Sequence, residues 1–96
     1  MSETTPTKTA VLDATLASIG AVRDRLVAEL GLPDQTGRNL DALWDALTTE
    51  GRGPFRIVWR DHAAARMTLG ADFDRLVALF HDVAEARSDV SFTLER

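Results

Sequence analysis

Asn39-Leu40-Asp41-Ala42-Leu43-Trp44-Asp45-Ala46-Leu47-Thr48-Thr49-Glu50-Gly51-Arg52-Gly53-Pro54-Phe55-Arg56-Ile57-Val58-Trp59 decides the fold class, because one residue period gives way to another inside it. Over residues 39–49 the leucines at 40, 43 and 47 form one apolar stripe of helical spacing, and Asn39 suits the N-cap. Residues 50–54 read as a loop through their glycines and proline. Residues 55–59 are apolar, aromatic and β-branched, which predicts a strand. Working outward toward the N-terminus, Leu32-Pro33 follows Gly31 as a helix stop. Ile19, Val22, Leu26 and Leu30 repeat at helical spacing behind a Ser18 N-cap, and the short apolar run at residues 9–12 reads as a strand. Toward the C-terminus, residues 61–67 can form a short helix. A longer one begins at Thr68 or Gly70, buries Phe73, Leu76, Val77, Phe80, Val83 and Ala84, and ends at Ser88-Asp89. Asp72 and Asp74 suit its positive N-terminal end. Residues 90–94 alternate as a last strand. Strands separated by helices pair in parallel through right-handed crossovers. The expected architecture is α/β, a small three-stranded parallel sheet packed with three to four helices, in one domain over residues 9–96 behind a mobile tail of residues 1–8.

Composition narrows the possible functions. At 96 residues the chain has room for one core and little cofactor apparatus, so no cofactor is expected. No apolar run approaches the roughly 18 residues of a membrane helix, and no secretory leader opens the chain. Cysteine is absent, which removes disulfides and thiolate chemistry, so the expected location is the cytoplasm. The net charge of −4 is unevenly placed: residues 1–33 carry −1, residues 34–50 carry −3, and residues 51–96 are neutral. An acidic segment of this kind repels phosphate backbones and favours a basic protein partner, so direct nucleic-acid binding is not expected.

The acidic segment holds Asp41 and Asp45 four residues apart, so both project from the same side of a helix, about 100–140° around from Leu40. Like charges at that spacing cost an isolated helix roughly 0.2–0.5 kcal/mol. Three readings stand open from spacing alone. The carboxylates favour the helix dipole and solubility, or they form a partner-binding face, or they begin a metal or acid/base site. The third lacks support, since no calcium loop, His-Glu motif or further oxygen ligand accompanies them. Trp44 lies about 40° from Leu40, between the core stripe and the acidic face, the half-wet setting that suits recognition. Gly37 permits positive φ or close packing at the helix entry. His62 and His81 stand alone as surface or packing residues, Gly51-Arg52-Gly53 is a turn rather than a phosphate loop, and Trp59 belongs to the core.

Leu32-Pro33, Gly37, Asn39 through Asp45, Leu47-Thr48, Pro54, Trp59-Arg60 and Phe80 together closely resemble the barstar family, intracellular inhibitors of the secreted ribonuclease barnase. The likeness covers nearly the whole chain after the tail. It implies the same three-stranded fold, no catalytic activity of its own, and a basic barnase-like ribonuclease as partner, whose active site is plugged by the helix at Asn39 and the loop before it. By that resemblance Asp45 takes the place of the substrate phosphate and Asp41 adds a second carboxylate. Trp44, Asn39, Gly37, Gln35, Thr36, Arg38 and Thr48 line the contact, Asp82 stands at its rim, and the free chain is a monomer. Gln35-Thr36 replaces a pair of aromatics of the family's loop, Glu50 replaces another aromatic, and the chain has no tyrosine. Buried aromatics supply much of an interface's energy, so the expected partner differs from barnase or is held less tightly. The rival expectation is an antitoxin or immunity domain of the same fold for a basic protein that is not a ribonuclease.

Overall fold

The computed structural model describes residues 6–96, so residues 1–5 of the expected tail lie outside the described residues. Strand β1 is Lys8–Leu12, one residue earlier than the apolar run alone indicates, because Lys8 N–H reaches the Pro54 carbonyl and extends the pairing. Helix α1 (Ile19–Leu30) follows, then α2 (Leu40–Asp45), strand β2 (Phe55–Trp59), helices α3 (His62–Leu69) and α4 (Ala71–Ala86), and strand β3 (Val90–Leu94). The sheet runs in the order β1-β2-β3 and both pairings are parallel, with Ala10 opposite Ile57 and Ile57 opposite Phe92. This is the expected α/β architecture, with four helices.

Alternation along the strands shows which face the helices cover. Ala10, Leu12, Phe55, Ile57, Trp59 and Val90 are buried, while Thr9, Arg56, Ser91 and Thr93 between them are exposed; Val58 of the central strand, 9% exposed, is the exception on that face. Two right-handed crossovers stepping the same way across the sheet put all helices on one side, which agrees with that burial. Val22, Leu26 and Leu30 of α1, Leu43 and Leu47, and Phe73, Leu76, Phe80 and Val83 of α4 complete one core. Trp59 sits at its centre, 4.8 Å from the Phe73 ring and 6.1 Å from that of Phe80, as expected for a core tryptophan. Its indole N–H is buried with no hydrogen-bond partner among the described residues.

Two boundaries depart from simple periodicity. The single turn between α3 and α4 is Gly70, at φ 61° and ψ −133°, a conformation open essentially to glycine alone, and it carries α3 on to Leu69 and starts the longer helix at Ala71, where the sequence places that start at Thr68 or Gly70. Beyond Asp45, the helix of residues 39–49 does not stay α-helical. Residues Ala46–Glu50 wind as a π-turn, in which Gly51 N–H reaches back five residues to the Ala46 carbonyl at 2.6 Å. Ala46 and Leu47 remain buried through this turn, so the wider winding keeps the apolar stripe on the core.

Candidate functional site

Residues 33–51 form one continuous surface segment, and its position follows from bonds at its start, its cap and its rear. At the start, Thr36 N–H and hydroxyl both donate to the Pro33 carbonyl, at 3.0 and 2.7 Å, closing a tight turn. Arg23 of α1 holds this turn from below: its Nε donates to the Thr36 carbonyl at 2.7 Å, a second nitrogen to the Asp34 carbonyl, and a third to Asp24 at 2.9 Å. The planar five-donor guanidinium suits such a fork, and the side chain is only 13% exposed. Gly37 does not adopt positive φ. A Cβ there stands 3.0 Å from the Ala42 side chain, so its role is close packing at the helix entry.

Asn39 caps α2 as expected, with extended backbone and its Oδ1 accepting from Ala42 N–H at 2.8 Å. The helix then presents Asp41 and Asp45, both exposed, while Leu43 is fully buried and half-buried Trp44 packs against the core. Thr48 donates its hydroxyl to the Trp44 carbonyl at 2.6 Å, so its proton is committed inside the segment. At the rear, Arg87, just past α4, donates to the carbonyls of Leu47 at 2.7 Å and Gly51 at 3.0 Å. Its guanidinium lies 5.2 Å from the Phe55 ring centre, and Asp89 holds it through two further bonds of 3.0 and 2.7 Å. Arg87 thus secures the carbonyl end of the π-turn, where a positive charge is favourable.

Among the described residues no aspartate of the segment has an ion pair. Asp13, Asp24, Asp72, Asp74 and Asp89 each pair with an arginine of the chain. Among the described residues Asp34, Asp41, Asp45, Asp61 and Asp82 have no ion pair, and all five are exposed. Hydrogen bonds from Arg23 and Arg38 hold the Asp24 carboxyl below its ordinary range, and the bond from Arg87 does the same for Asp89. Among the described residues no group of three or more His, Asp or Glu side chains is arranged to hold a metal ion, and no helix is long and apolar enough to cross a membrane.

The sequence profile of the family described as "Barstar (barnase inhibitor)" matches residues 7–95. The chain belongs to the barstar family. A Bacillus subtilis (strain 168) protein named "Putative ribonuclease inhibitor YrdF" is 33% identical over 72 residues, covering 75% of this chain and 79% of that one.

On this barstar-family fold the expected site residues fall into two groups. Gly37, Asn39, Asp41, Trp44, Asp45 and Thr48 come together along one segment, with exposed Gln35 at its head. Asp82 lies on α4, the helix against which α2 packs, and is exposed. Two of the expected contact residues are also bonded within the chain. Thr36 is 7% exposed with its hydroxyl on Pro33, so the side chain holds the loop instead of facing outward. Arg38 points back to α1, where it pairs with Asp24 at 3.0 Å and donates to the Gly20 carbonyl at 3.3 Å, so its guanidinium is engaged within the chain. Arg23 and Arg87, which position the whole segment, were not singled out by sequence reasoning. Their acceptors are mainly backbone carbonyls 11, 13, 36 and 40 residues away, which leave no local pattern.

Proposed function

We propose that this chain inhibits a cognate ribonuclease by seating α2 and the loop before it in the nuclease's active-site cleft, with Asp45 and Asp41 in place of RNA phosphate. The observation that carries this reading is the exposed pair on α2. Among the described residues neither carboxylate has a cation partner, and they stand on a segment fastened at both ends, whereas Asp13, Asp24, Asp72, Asp74 and Asp89 are neutralised by arginines. A carboxylate is an acceptor-only group, and in a cleft built of cationic groups for phosphate it takes short charge-assisted hydrogen bonds. Membership of the barstar family and the name of the Bacillus relative support the same role.

Each contact residue then has a distinct task. Asp45 and Asp41 supply the charge, and Trp44 supplies apolar area at low cost in side-chain entropy. Gly37 and Gln35 let the loop approach closely, Asn39 fixes the helix entry, Thr48 lines the far end, and Asp82 adds charge at the rim. Since the segment is fastened before the partner arrives, little ordering entropy is lost on binding. The net −3 of residues 34–50 steers a basic partner, so association slows as salt rises. The test is RNA cleavage by the cognate nuclease in the presence of Asp45→Ala. This variant should fold like the wild type and lose most inhibition, since truncating one member of a desolvated charge pair typically costs about 2–5 kcal/mol, a range drawn from barstar with its own nuclease and similar complexes. Full protection by the variant overturns the proposal.

A further inference from the structure

We infer that Thr49, one step beyond Thr48, is a specificity-determining residue of the contact face, and that the π-turn sets its hydroxyl in line with Asp41 and Asp45 as a third acceptor for a donor of the nuclease cleft. This inference rests on the reading of α2 as the helix that enters that cleft. Angle decides which side chains join the line. At about 100° per residue, unbroken α winding leaves Asp45 about 40° and Thr49 about 80° round from Asp41, and turns Glu50 to within about 20° of fully buried Leu43. A charged side chain in that direction enters the core. The bond from Gly51 N–H to the Ala46 carbonyl spans five residues instead of four, so the chain from Ala46 to Glu50 advances more slowly, by roughly 80° per residue. Over the four steps from Asp45 to Thr49 the lag is about 80°. It returns Thr49 to the direction of Asp41, swings Glu50 off the core and holds Leu47 in the direction of Leu43. Burial follows this count: Leu43 and Leu47 are fully buried, Thr48 and Trp44 half-buried, and Thr49 and Glu50 exposed. The winding is fixed by packing, since a Cβ on Gly51 stands 2.8 Å from the Ala46 carbonyl oxygen and 2.7 Å from the Phe55 ring.

The protons then fix what Thr49 offers. Thr48 gives its hydroxyl proton to the Trp44 carbonyl at 2.6 Å. Its oxygen lies 3.5 Å from that of Thr49, and a hydroxyl has a single proton, so in this pair only Thr49 can donate. The relay from Thr49 to Thr48 to the Trp44 carbonyl leaves the exposed Thr49 oxygen with lone pairs to accept a bond. Arginine, lysine and histidinium groups are donors only, so a cleft built of them for phosphate can use an acceptor at this point. Thr48 positions the hydroxyl and Thr49 makes the contact. A nuclease with no donor opposite gains nothing from Thr49, which is how the residue discriminates between partners.

The wild-type chain is first titrated against purified barnase-type ribonucleases to find one that it inhibits. Thr49→Val keeps the shape of the side chain and removes the hydroxyl, and Thr49→Ser keeps the hydroxyl. Thr49→Val should bind that nuclease about tenfold more weakly, the size of a lost hydrogen bond to a charged group. The loss should lie in faster dissociation, because no charge has changed and the salt-dependent association rate stays as it was. Thr49→Ser should recover the affinity to within about threefold. Both Thr49 variants should melt within a few degrees of the wild type, which separates a lost contact from a lost fold. Thr48→Val removes only the oxygen that orients Thr49, so it should weaken binding less than Thr49→Val. If the wild type inhibits no such ribonuclease, the inhibitor reading fails and this inference with it. Suppose instead that the wild type inhibits and Asp45→Ala does not. The inference about Thr49 alone is then overturned if Thr49→Val binds within about twofold of the wild type, or if Thr48→Val loses as much as Thr49→Val.

Discussion

Arg23→Met keeps the length and apolar character of the side chain and removes only the guanidinium, so its effect measures the bonds that hold the loop before α2. Three bonds are lost. The one from Nε to the Thr36 carbonyl, at 2.7 Å and partly buried, is charge-assisted, and its loss leaves that acceptor poorly solvated. Bonds of this type contribute about 1.5–3 kcal/mol. The Asp34 carbonyl is exposed and regains water, and the exposed Asp24 still has Arg38, so neither adds much. A 96-residue domain has a total stability of about 5–14 kcal/mol, so the change is a large fraction of it. At the middle of the range, a little over 2 kcal/mol, the melting midpoint should fall by roughly 9–18 °C. Urea denaturation gives the free energy, and amide exchange at residues 34–38 should speed up more than exchange in β2. Inhibition of the nuclease should weaken through faster dissociation, because a loosened loop must be ordered again on binding. Arg23→Lys should restore less than half of the stability, since a single ammonium cannot span the fork of acceptors. A stability for Arg23→Met within about 0.5 kcal/mol of the wild type refutes the idea that this guanidinium holds the loop.

At the other end of the segment, Arg87→Met removes the donors to Leu47 and Gly51 and should lower stability by about 2–4 kcal/mol in urea denaturation; a loss under about 1 kcal/mol counts against its role. Gly70→Ala meets no atom within 4 Å, so its expected destabilisation of about 1–3 kcal/mol comes from backbone conformation alone, and an unchanged melting midpoint contradicts it. For acid behaviour the sign follows from Asp24, whose folded-state pKa is depressed by Arg23 and Arg38. Its stabilising contribution is fully present above the unfolded value near pH 4 and is lost as pH falls through the lower folded value. The stability gap between wild type and Asp24→Asn should therefore narrow between about pH 5 and pH 2, and a gap that widens there is the contrary result.

The fold was largely legible because its signals are local. Ser18 and Asn39 sit where caps are needed, and both side chains accept the expected backbone N–H, from Ala21 and Ala42. The leucine stripes of α1 and α2 face the core, and the three apolar runs pair in parallel. The π-turn at Ala46–Glu50 was not legible, since α and π winding differ by one residue in hydrogen-bond register and share nearly the same apolar pattern. The break at Gly70 was half legible: a glycine was visible, but its φ and ψ are fixed by how α3 and α4 both pack. Within the candidate site, the exposed carboxylates and the half-buried Trp44 followed from helical angle. The bonds of Thr36 and Arg38 did not, because a side chain's acceptor is fixed only once the elements around it have packed.

By itself, the sequence determined the helices and strands and the concentration of negative charge on one short stretch, since each depends on neighbours within a few positions, and the alternation of strands with helices indicated parallel pairing. Tertiary structure decided which of those charges are free. Asp24 and Asp72 are neutralised by arginines from 14 and 3 residues away, while Asp41 and Asp45 meet none among the described residues. It also decided how the stretch is held, through two guanidiniums donating to carbonyls from 11 to 40 residues distant. The reason is geometric. Local hydrogen bonds and periodicity are fixed by backbone dihedrals, whereas a long side chain finds its acceptor only after separate elements have packed.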